Sequence, residues 1–268
     1  MTSREANDNA PRTPGDVPAE KVLGRAEKVL GREAVELPKR FYASVATSPV
    51  ERGGYAVLLD GRPIKTPKKS QVIVPTRALA EALAAEWQAQ TEHIDPSTMP
   101  ITRIVNTTLD AVTPNLLAVR ADLVEFAGSD ALCYRAAEPA ALAERQAHEW
   151  DPILSWADKA LGAKFVTQVG IIHKPQPAAT LAAIARAVDT CSAWEIAPLH
   201  VMTTITGSVV LALAVKHGAL GLDAAWGAAH VDEDWQISTW GEDDEAHDRR
   251  NRRWLEIQAS AEMLETLR

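Results

Sequence analysis

The chain has 268 residues and a formal net charge of -8, and 46% of its residues are hydrophobic. No apolar run approaches the ~18 residues that a membrane-spanning helix needs, so we expect a soluble protein without membrane insertion. The acidic balance argues against nucleic acid as the main partner, because binding to phosphates needs clustered Lys and Arg. The two cysteines, Cys133 and Cys191, lack the spacing of a zinc site or of a disulfide framework, which is typical of a reducing compartment.

Residues 1–36 predict a disordered leader. They begin MTSREANDNAPRTPGDVPAE, without the apolar core of a secretory signal or the Arg-rich, acid-poor character of a mitochondrial transit peptide. KVLGRAE at 21–27 is followed directly by KVLGREA at 28–34, and a glycine interrupts each copy. Because short helices with internal glycine are marginal, a slipped repeat is favoured over a docking peptide. We therefore expect a bacterial cytoplasmic protein.

Residues 37–112 predict a small β-rich domain with one packed helix. Two stretches alternate apolar and polar side chains in the period of a half-buried strand. Their apolar members are Phe41, Ala43 and Val45 in the first stretch and Tyr55, Val57 and Leu59 in the second. Asp60-Gly61 is a pair favoured in two-residue hairpin turns, which gives Gly61 a structural role. The turn is expected to bring Ile64 onto the face of the second stretch.

A further strand at 71–74 and a helix at 76–90 complete this domain. Pro75 stops the strand, and Thr76 has the side chain of a helix cap. Leu79, Leu83 and Trp87 recur every fourth residue and predict the buried stripe of the helix. Trp87 is therefore expected to be structural.

From Thr113-Pro114 onward the helical period dominates, so residues 113–268 predict an all-α domain built as a helical array. Helices are expected at 116–126 and 140–150, and a third is expected to start at Asp151-Pro152. Two more are expected at 178–196 and 200–217, separated by Pro198. Gly207 would then lie inside a helix, where close approach of a neighbouring helix is the usual reason for a glycine. The fold class is thus α+β, with the sheet first and the helices after it.

The segment from Asp223 to Trp240 carries the strongest candidate site. In one continuous helix capped by Asp223, a single face would hold Trp226, Ala229, His230, Glu233 and Ile237, with Trp235 pointing away. A carboxylate on an apolar stripe must be paired, hydrogen-bonded or held at a binding surface. Two interpretations of Glu233 stay open: it orders the core through a buried donor, or it contacts a partner.

Beyond Trp240-Gly241 the acids Glu242 to Asp248 come together. A charge run of this kind usually marks a solvated face or a helix N-terminus, which is the preferred interpretation of Asp243 and Asp244. The four arginines that follow, between residues 249 and 253, more plausibly pair within the helix. An exposed Trp240 beside these acids would instead indicate a binding anchor.

The motifs of common enzyme classes are missing from the sequence. It contains no GxSxG, GxxxxGK[ST], GxGxxG or HExxH, so hydrolase, nucleotide-binding and metalloprotease functions lack their usual signatures. His230 with Glu233 leaves an acid-base or metal enzyme as one alternative, although a metal site would need a third ligand at fixed spacing. A passive scaffold or oligomerisation module is the other alternative.

Several ordered blocks of the sequence resemble one known family. They are GYAVLLDGRPIKTP, VPTRALAEALAAEWQAQ, IDPSTMPITRIVNTTLD, AGSDALCYRA, EWDPILSWADKALGA, TGSVVLALAVKHG and HVDEDWQISTWGEDDEAHD, and with them the likeness covers nearly everything after residue 36. Their order is similar to that of the ATP synthase assembly chaperones, which hold the unassembled α subunit of the soluble catalytic head. Pro100 and Asn106 fall within these blocks and are assigned structural roles.

The resemblance implies a chaperone rather than an enzyme. Such a protein would bind the free α subunit, shield the surface later covered by the β subunit, need no cofactor or metal, and be a monomer when free. Family members also occur in the mitochondrial matrix. The acidic cluster before an aromatic-Gln pair is matched at residues 232–236, so the expected partner-binding residues are Asp232, Glu233, Asp234, Trp235, Trp240 and Glu242.

Overall fold

A computed structural model describes residues 37–51, 53–241 and 243–268. The leader with its duplicated KVLGR segment, and Glu242, lie outside the described residues. Residues Lys39–Arg268 form one compact unit in which a small sheet precedes a series of helices. The α+β class is confirmed. The boundary between residues 112 and 113 falls within a run of helical turns and stays a prediction.

The sheet is built around one central strand. Its strands are β1 (Val45–Pro49), β2 (Tyr55–Leu59), β3 (Arg62–Pro63) and β4 (Ile73–Val74). All three others pair antiparallel with β2, and Leu59 lies opposite Arg62 across the hairpin. Asp60 and Gly61 both have positive φ, 47° and 78°, which is the geometry of the expected turn and explains the glycine.

The first strand begins later than its alternation predicts. The expected inward face of Phe41, Ala43 and Val45 is wrong, because β1 starts only at Val45 and Phe41 is 72% exposed. Tyr42 is the buried residue of this stretch, since its hydroxyl donates to the Trp87 carbonyl at 2.6 Å. A tertiary hydrogen bond therefore decides which face turns inward.

Ten helices and a second small sheet follow within the described residues. The helices are α1 (Arg77–Ala89), α2 (Pro100–Thr107), α3 (Leu116–Gly128), α4 (Ala140–Trp156), α5 (Ala178–Asp189), α6 (Ala193–Thr206), α7 (Val209–Lys216), α8 (Leu222–Ala229), α9 (Val231–Trp240) and α10 (Asp244–Thr266). The parallel strands β5 (Tyr134–Arg135) and β6 (Gln168–Val169) lie on either side of α4 in the chain.

Helix α1 has the cap and the stripe that its sequence predicts. The Thr76 hydroxyl accepts from the Leu79 amide at 3.2 Å, and Leu79 and Leu83 are fully buried. Trp87 is partly buried against the same core. The residue directly before Trp87 is Glu86, whose carboxylate accepts hydrogen bonds from the first amides of α2, those of Ile101 and Thr102. This bond fixes the angle between the two helices, and burial raises the pKa of Glu86.

Two expected helix boundaries are wrong. Asp151-Pro152 starts no helix, because α4 continues through Pro152 and buries Trp150 and Ile153 on either side of it. Pro198 likewise lies inside α6. The breaks instead come at residues 190–192, between α5 and α6, and at Gly207. Gly207 ends α6 with φ 69° and lies so close to Ala131 that a Cβ would approach its methyl to 3.3 Å. A proline costs one backbone hydrogen bond, and burial of both neighbouring turns offsets that loss.

The core is centred on α7, which is apolar all round. Val209, Val210, Leu211, Ala212 and Leu213 are each fully buried, as expected of a helix surrounded by others. The last helix, α10, packs along α6 and reaches the sheet side, where the Thr76 hydroxyl donates to the Thr266 carbonyl at 2.7 Å. An Arg103–Glu256 ion pair adds a second link between α2 and α10.

Candidate partner-binding groove

An open groove of about 450 Å³ runs beside α9. One wall is the face of α9 that carries Asp232, Trp235, Gln236 and Trp240. The other wall consists of β5, the loop 136–139 that follows it, and Ile171 beyond β6. We call this feature the α9 groove.

The helix breaks at His230, and the helix that follows, α9, carries residues that line the groove. The continuous helix expected from Asp223 is wrong: α8 is capped at Gly221 and ends at His230, whose φ and ψ are −114° and 18°. The residues before and after the break therefore do not share one face. Trp235, expected to point away from the site, lines the groove instead.

Glu233 lies at the start of α9 with its side chain 38% exposed. Its carboxylate is 3.7 Å from Nε2 of buried His230, whose Nδ1 lies 2.8 Å from the Trp226 carbonyl. Burial lowers the pKa of His230, so the imidazole is neutral near pH 7 and Nδ1 donates the hydrogen bond. A neutral histidine does not compensate the charge of Glu233. The carboxylate thus keeps a net negative charge at a partly exposed position.

The two flanking aspartates have fixed partners. Asp232 accepts from Nε2 of Gln146 at 2.6 Å, and Oε1 of the same buried Gln146 accepts from the Ala136 amide at 2.7 Å. Asp234 forms an ion pair with Arg250 at 2.6 Å and lies 3.9 Å from Arg145. Asp232 therefore joins the two walls of the groove, while Asp234 is largely neutralised. Sequence reasoning missed Gln146, because no spacing pattern marks a single buried amide.

Exposed apolar side chains concentrate at the end of this groove. Trp240 is 78% exposed and Ile171 is 93% exposed, and both line it, while Val169 and Ile172 project beside Ile171. The loop that carries them is anchored at its base, where the Gln176 amide bonds both the NH and the carbonyl of Val166. Sequence reasoning missed this loop as well. The sequence feature that could have indicated this loop is the apolar stretch VTQVGII, which fits no helical period.

The remaining expected site residues lie elsewhere. Gly61 lies in the hairpin turn, Trp87 closes α1, Pro100 is the first residue of α2, and half-buried Asn106 lies near its end. The structure does not bring these four to the α9 groove, and their structural roles stay a prediction. Throughout the described ranges, no group of three or more His, Cys, Asp or Glu could hold a metal ion. None of the described helices is both long and apolar enough to cross a membrane.

Comparison with known proteins gives a consistent result. The family model of the ATP12 chaperone protein matches residues 39–158. The crystal structure of Atp12 from Paracoccus denitrificans is 39% identical, with a TM-score of 0.82 over 86% of this chain and 99% of that one. The Atu1473 protein of Agrobacterium tumefaciens is 46% identical, with a TM-score of 0.84 over 87% of each chain. Mitochondrial atp12 of Schizosaccharomyces pombe is 24% identical over 80% of this chain and 77% of its own length.

Proposed function

Because this chain belongs to the ATP12 chaperone family, we propose that it acts in ATP synthase assembly by binding the unassembled α subunit of the catalytic head. It covers the subunit interface of that client until the β subunit replaces it. The α9 groove is the proposed contact surface, with Trp235 and Trp240 as contact residues in it and Glu233 as a contact residue beside it, at the start of α9. Asp232 and Asp234 support it from either side.

The exposed apolar surface at the α9 groove is the observation that carries this proposal. Monomeric proteins rarely expose a contiguous apolar patch unless it binds something. Here Trp240 and Ile171 stand at one groove, and Val169 and Ile172 extend the same surface. Large aromatic anchors such as Trp240 dominate the energetics of many protein interfaces, and the apolar side chains around them exclude water. A client subunit with an uncovered apolar interface is the matching partner.

Charge gives the surface its selectivity. Of the three acids in the first turn of α9, only Asp234 forms an ion pair with an arginine among the described residues: Asp232 is hydrogen-bonded to the neutral amide of Gln146, and Glu233 lies near neutral His230. These two carboxylates at the start of α9 favour a client segment that carries Lys or Arg, and they repel acidic ones. The proposed footprint on the α subunit is therefore apolar with a basic border.

Shielding requires no chemistry. A client is protected while its apolar surface is covered, and it is released when its proper neighbour competes for that surface. The interface must therefore be exchangeable, which suits an open groove better than a deep pocket. We propose that the protein is a monomer when free and works in the bacterial cytoplasm, as the counterpart of the mitochondrial relative in Schizosaccharomyces pombe.

Refolding of purified α subunit tests the proposal. Light scattering is recorded while denatured α subunit is diluted with or without a stoichiometric amount of the protein, in the absence of ATP. We expect aggregation of the α subunit to fall sharply, whereas refolding β subunit gains no protection. Equal aggregation of the α subunit in both arms would refute the proposed function.

Co-purification from a lysate provides the second measurement. The bound fraction is analysed for protein and for metal, with the α subunit expected and metal at background. Tight binding of metal with stabilisation of the fold would favour an enzyme that uses Glu233 and His230. Self-association without capture of the α subunit would favour a scaffold.

A further inference from the structure

A second groove, of about 520 Å³, lies on the hairpin of the sheet. Its apolar lining consists of Phe41, Tyr42, Leu59, Ile64 and Trp87, and its rim carries Arg62 and Lys65. We call it the Phe41 cradle. It is built from β2, β3, the segment before β1 and the end of α1, so it shares no element with the α9 groove.

A column of aromatic rings supports the exposed end of the cradle. Phe41 meets Tyr42 edge-on at 5.4 Å between ring centroids, and Tyr42 lies 5.8 Å from Trp87. The Tyr42 hydroxyl donates to the Trp87 carbonyl, and the Arg40 guanidinium lies 4.6 Å from the Tyr42 ring. These contacts fix the positions of the Tyr42 and Trp87 side chains. Phe41 is held in solvent on a rigid base, which is the arrangement of a binding anchor.

The charges on the rim are positive and unpaired. Arg62 and Lys65 are both exposed, and neither forms an ion pair with any residue that the structure describes. Asp60 is the one acid in the lining, and its carboxylate accepts hydrogen bonds from the amides of Ala43 and Ser44 and from the Ser44 hydroxyl. These hydrogen bonds hold the pKa of Asp60 below its usual value. Asp60 therefore stays ionised and offsets one of the two cations, which leaves a local surplus of positive charge in a chain of net charge -8.

We propose that the Phe41 cradle binds an extended acidic segment of a partner protein that carries one aromatic or large aliphatic anchor. The anchor packs against Phe41, Leu59 and Ile64, and carboxylates on either side of it pair with Arg62 and Lys65. A peptide segment fits better than nucleic acid, because an apolar cleft takes a side chain and two cations neutralise few phosphates. The proposal does not depend on the identity of the client at the α9 groove.

Fluorescence anisotropy with a designed peptide tests this binding. The probe is a short fluorescein-labelled peptide with a central Phe flanked by Asp and Glu, titrated with the full chain. Two matched peptides replace the Phe by Ser or the acids by Lys. We expect the acidic Phe peptide to bind at least about tenfold more tightly than either, since both the anchor and the charge contribute.

Variants of the chain locate the site. Arg62→Glu with Lys65→Glu should weaken binding of the acidic peptide at least about tenfold and improve binding of the Lys-flanked peptide. Phe41→Ser should weaken binding of both charged peptides. Lys159→Glu with Arg186→Glu is the control, because it makes the same change in net charge at exposed positions outside the cradle. Melting temperatures verify that each variant is folded.

Three results would overturn the proposal. One is equal affinity for all three peptides, and another is an affinity that the cradle variants lower no more than the control does. The third is displacement of the acidic peptide by a single-stranded oligonucleotide at lower concentration, which would reassign the surface to phosphates. Improved binding of the Lys-flanked peptide to the charge-reversed chain would support the assignment independently of folding.

Discussion

The α9 groove and the Phe41 cradle present similar apolar surface with opposite charge. Each has one large aromatic side chain in solvent, Trp240 at 78% exposure and Phe41 at 72%. At the start of α9 the uncompensated charges are the carboxylates of Asp232 and Glu233, whereas beside Phe41 the two cations Arg62 and Lys65 outnumber the single carboxylate of Asp60. Two surfaces of opposite sign select different segments, since apolar anchors give affinity and charges give specificity.

The two surfaces also differ in how they are supported. Phe41 rests on a column of rings that reaches the core at Trp87. The α9 groove depends on polar contacts instead, with the buried Gln146 joining Asp232 of one wall to Ala136 of the other. We therefore expect substitutions beneath the Phe41 cradle to lower the stability of the whole fold, and substitutions at the α9 groove to weaken binding.

Substitution of Trp87 should have the largest effect. Trp87→Arg places a charge against the core cluster and removes the ring that supports Tyr42, so we expect a loss of at least ~3 kcal/mol in the free energy of unfolding. Solubility and binding should fall together, as measured by thermal melts and a pull-down. Trp87→Phe, which keeps an aromatic ring, is the control. A normal melting temperature with lost binding would make Trp87 a contact residue instead.

The groove wall has its own buried support in Asp130, just before β5. Its carboxylate is fully buried and accepts from the Ser208 hydroxyl and the Leu132 and Val210 amides. Burial raises the pKa of Asp130 to about 6. The folded state therefore favours the protonated acid, and this contribution to stability is full below about pH 4 and lost as the pH rises through about 6.

Asp130→Asn removes this titration. Between about pH 4 and pH 7 the wild type should lose up to about 3 kcal/mol of stability relative to the variant. Urea unfolding of both proteins across that range measures the difference. Parallel pH profiles of the two proteins would show that the pKa of Asp130 is not shifted in the folded state.

Reversal of the charge at Glu233 should affect binding more than stability. Because the side chain is partly exposed and His230 is neutral, Glu233→Lys breaks no buried ion pair. We expect affinity for the α subunit to fall by about 2 kcal/mol, roughly thirtyfold, with a nearly unchanged melt. Exposed Asp158→Lys makes the same charge change away from the groove and should bind normally. A collapsed melt would assign Glu233 to the core, and retained binding would remove it from the site.

Truncation of Trp240 should have the smallest effect and should leave the fold intact. Trp240→Ser removes an exposed anchor, so we expect affinity for the α subunit to fall by about 1 to 2 kcal/mol. Leu117→Ser on α3 is the matched control, because Leu117 is equally exposed but lies outside the groove. Isothermal titration of both variants gives the comparison. Equal losses would mean that the apolar surface around α9 acts without a specific anchor.

Local sequence signals determined the elements that depend on a few neighbouring residues. Asp60-Gly61 predicts the hairpin because both turn positions require positive φ, and Thr76 predicts the start of α1 because its hydroxyl accepts an amide within the same turn. The exposed Trp240 was one of the candidate anchors, since it lies beside a run of acids. The acidic cluster was likewise visible, although only the resemblance to a family gave it a partner.

Tertiary structure decided everything that depends on residues distant in the chain. The bond from Tyr42 to Trp87 turns Phe41 outward against its alternation, and packing carries α4 and α6 through Pro152 and Pro198. The side chains that pair with the acids of α9 come from α4 and α10. The sequence around α9 therefore does not show which of these acids are neutralised. Periodicity records which side chains are apolar, but burial and pairing depend on what the rest of the chain brings to each face.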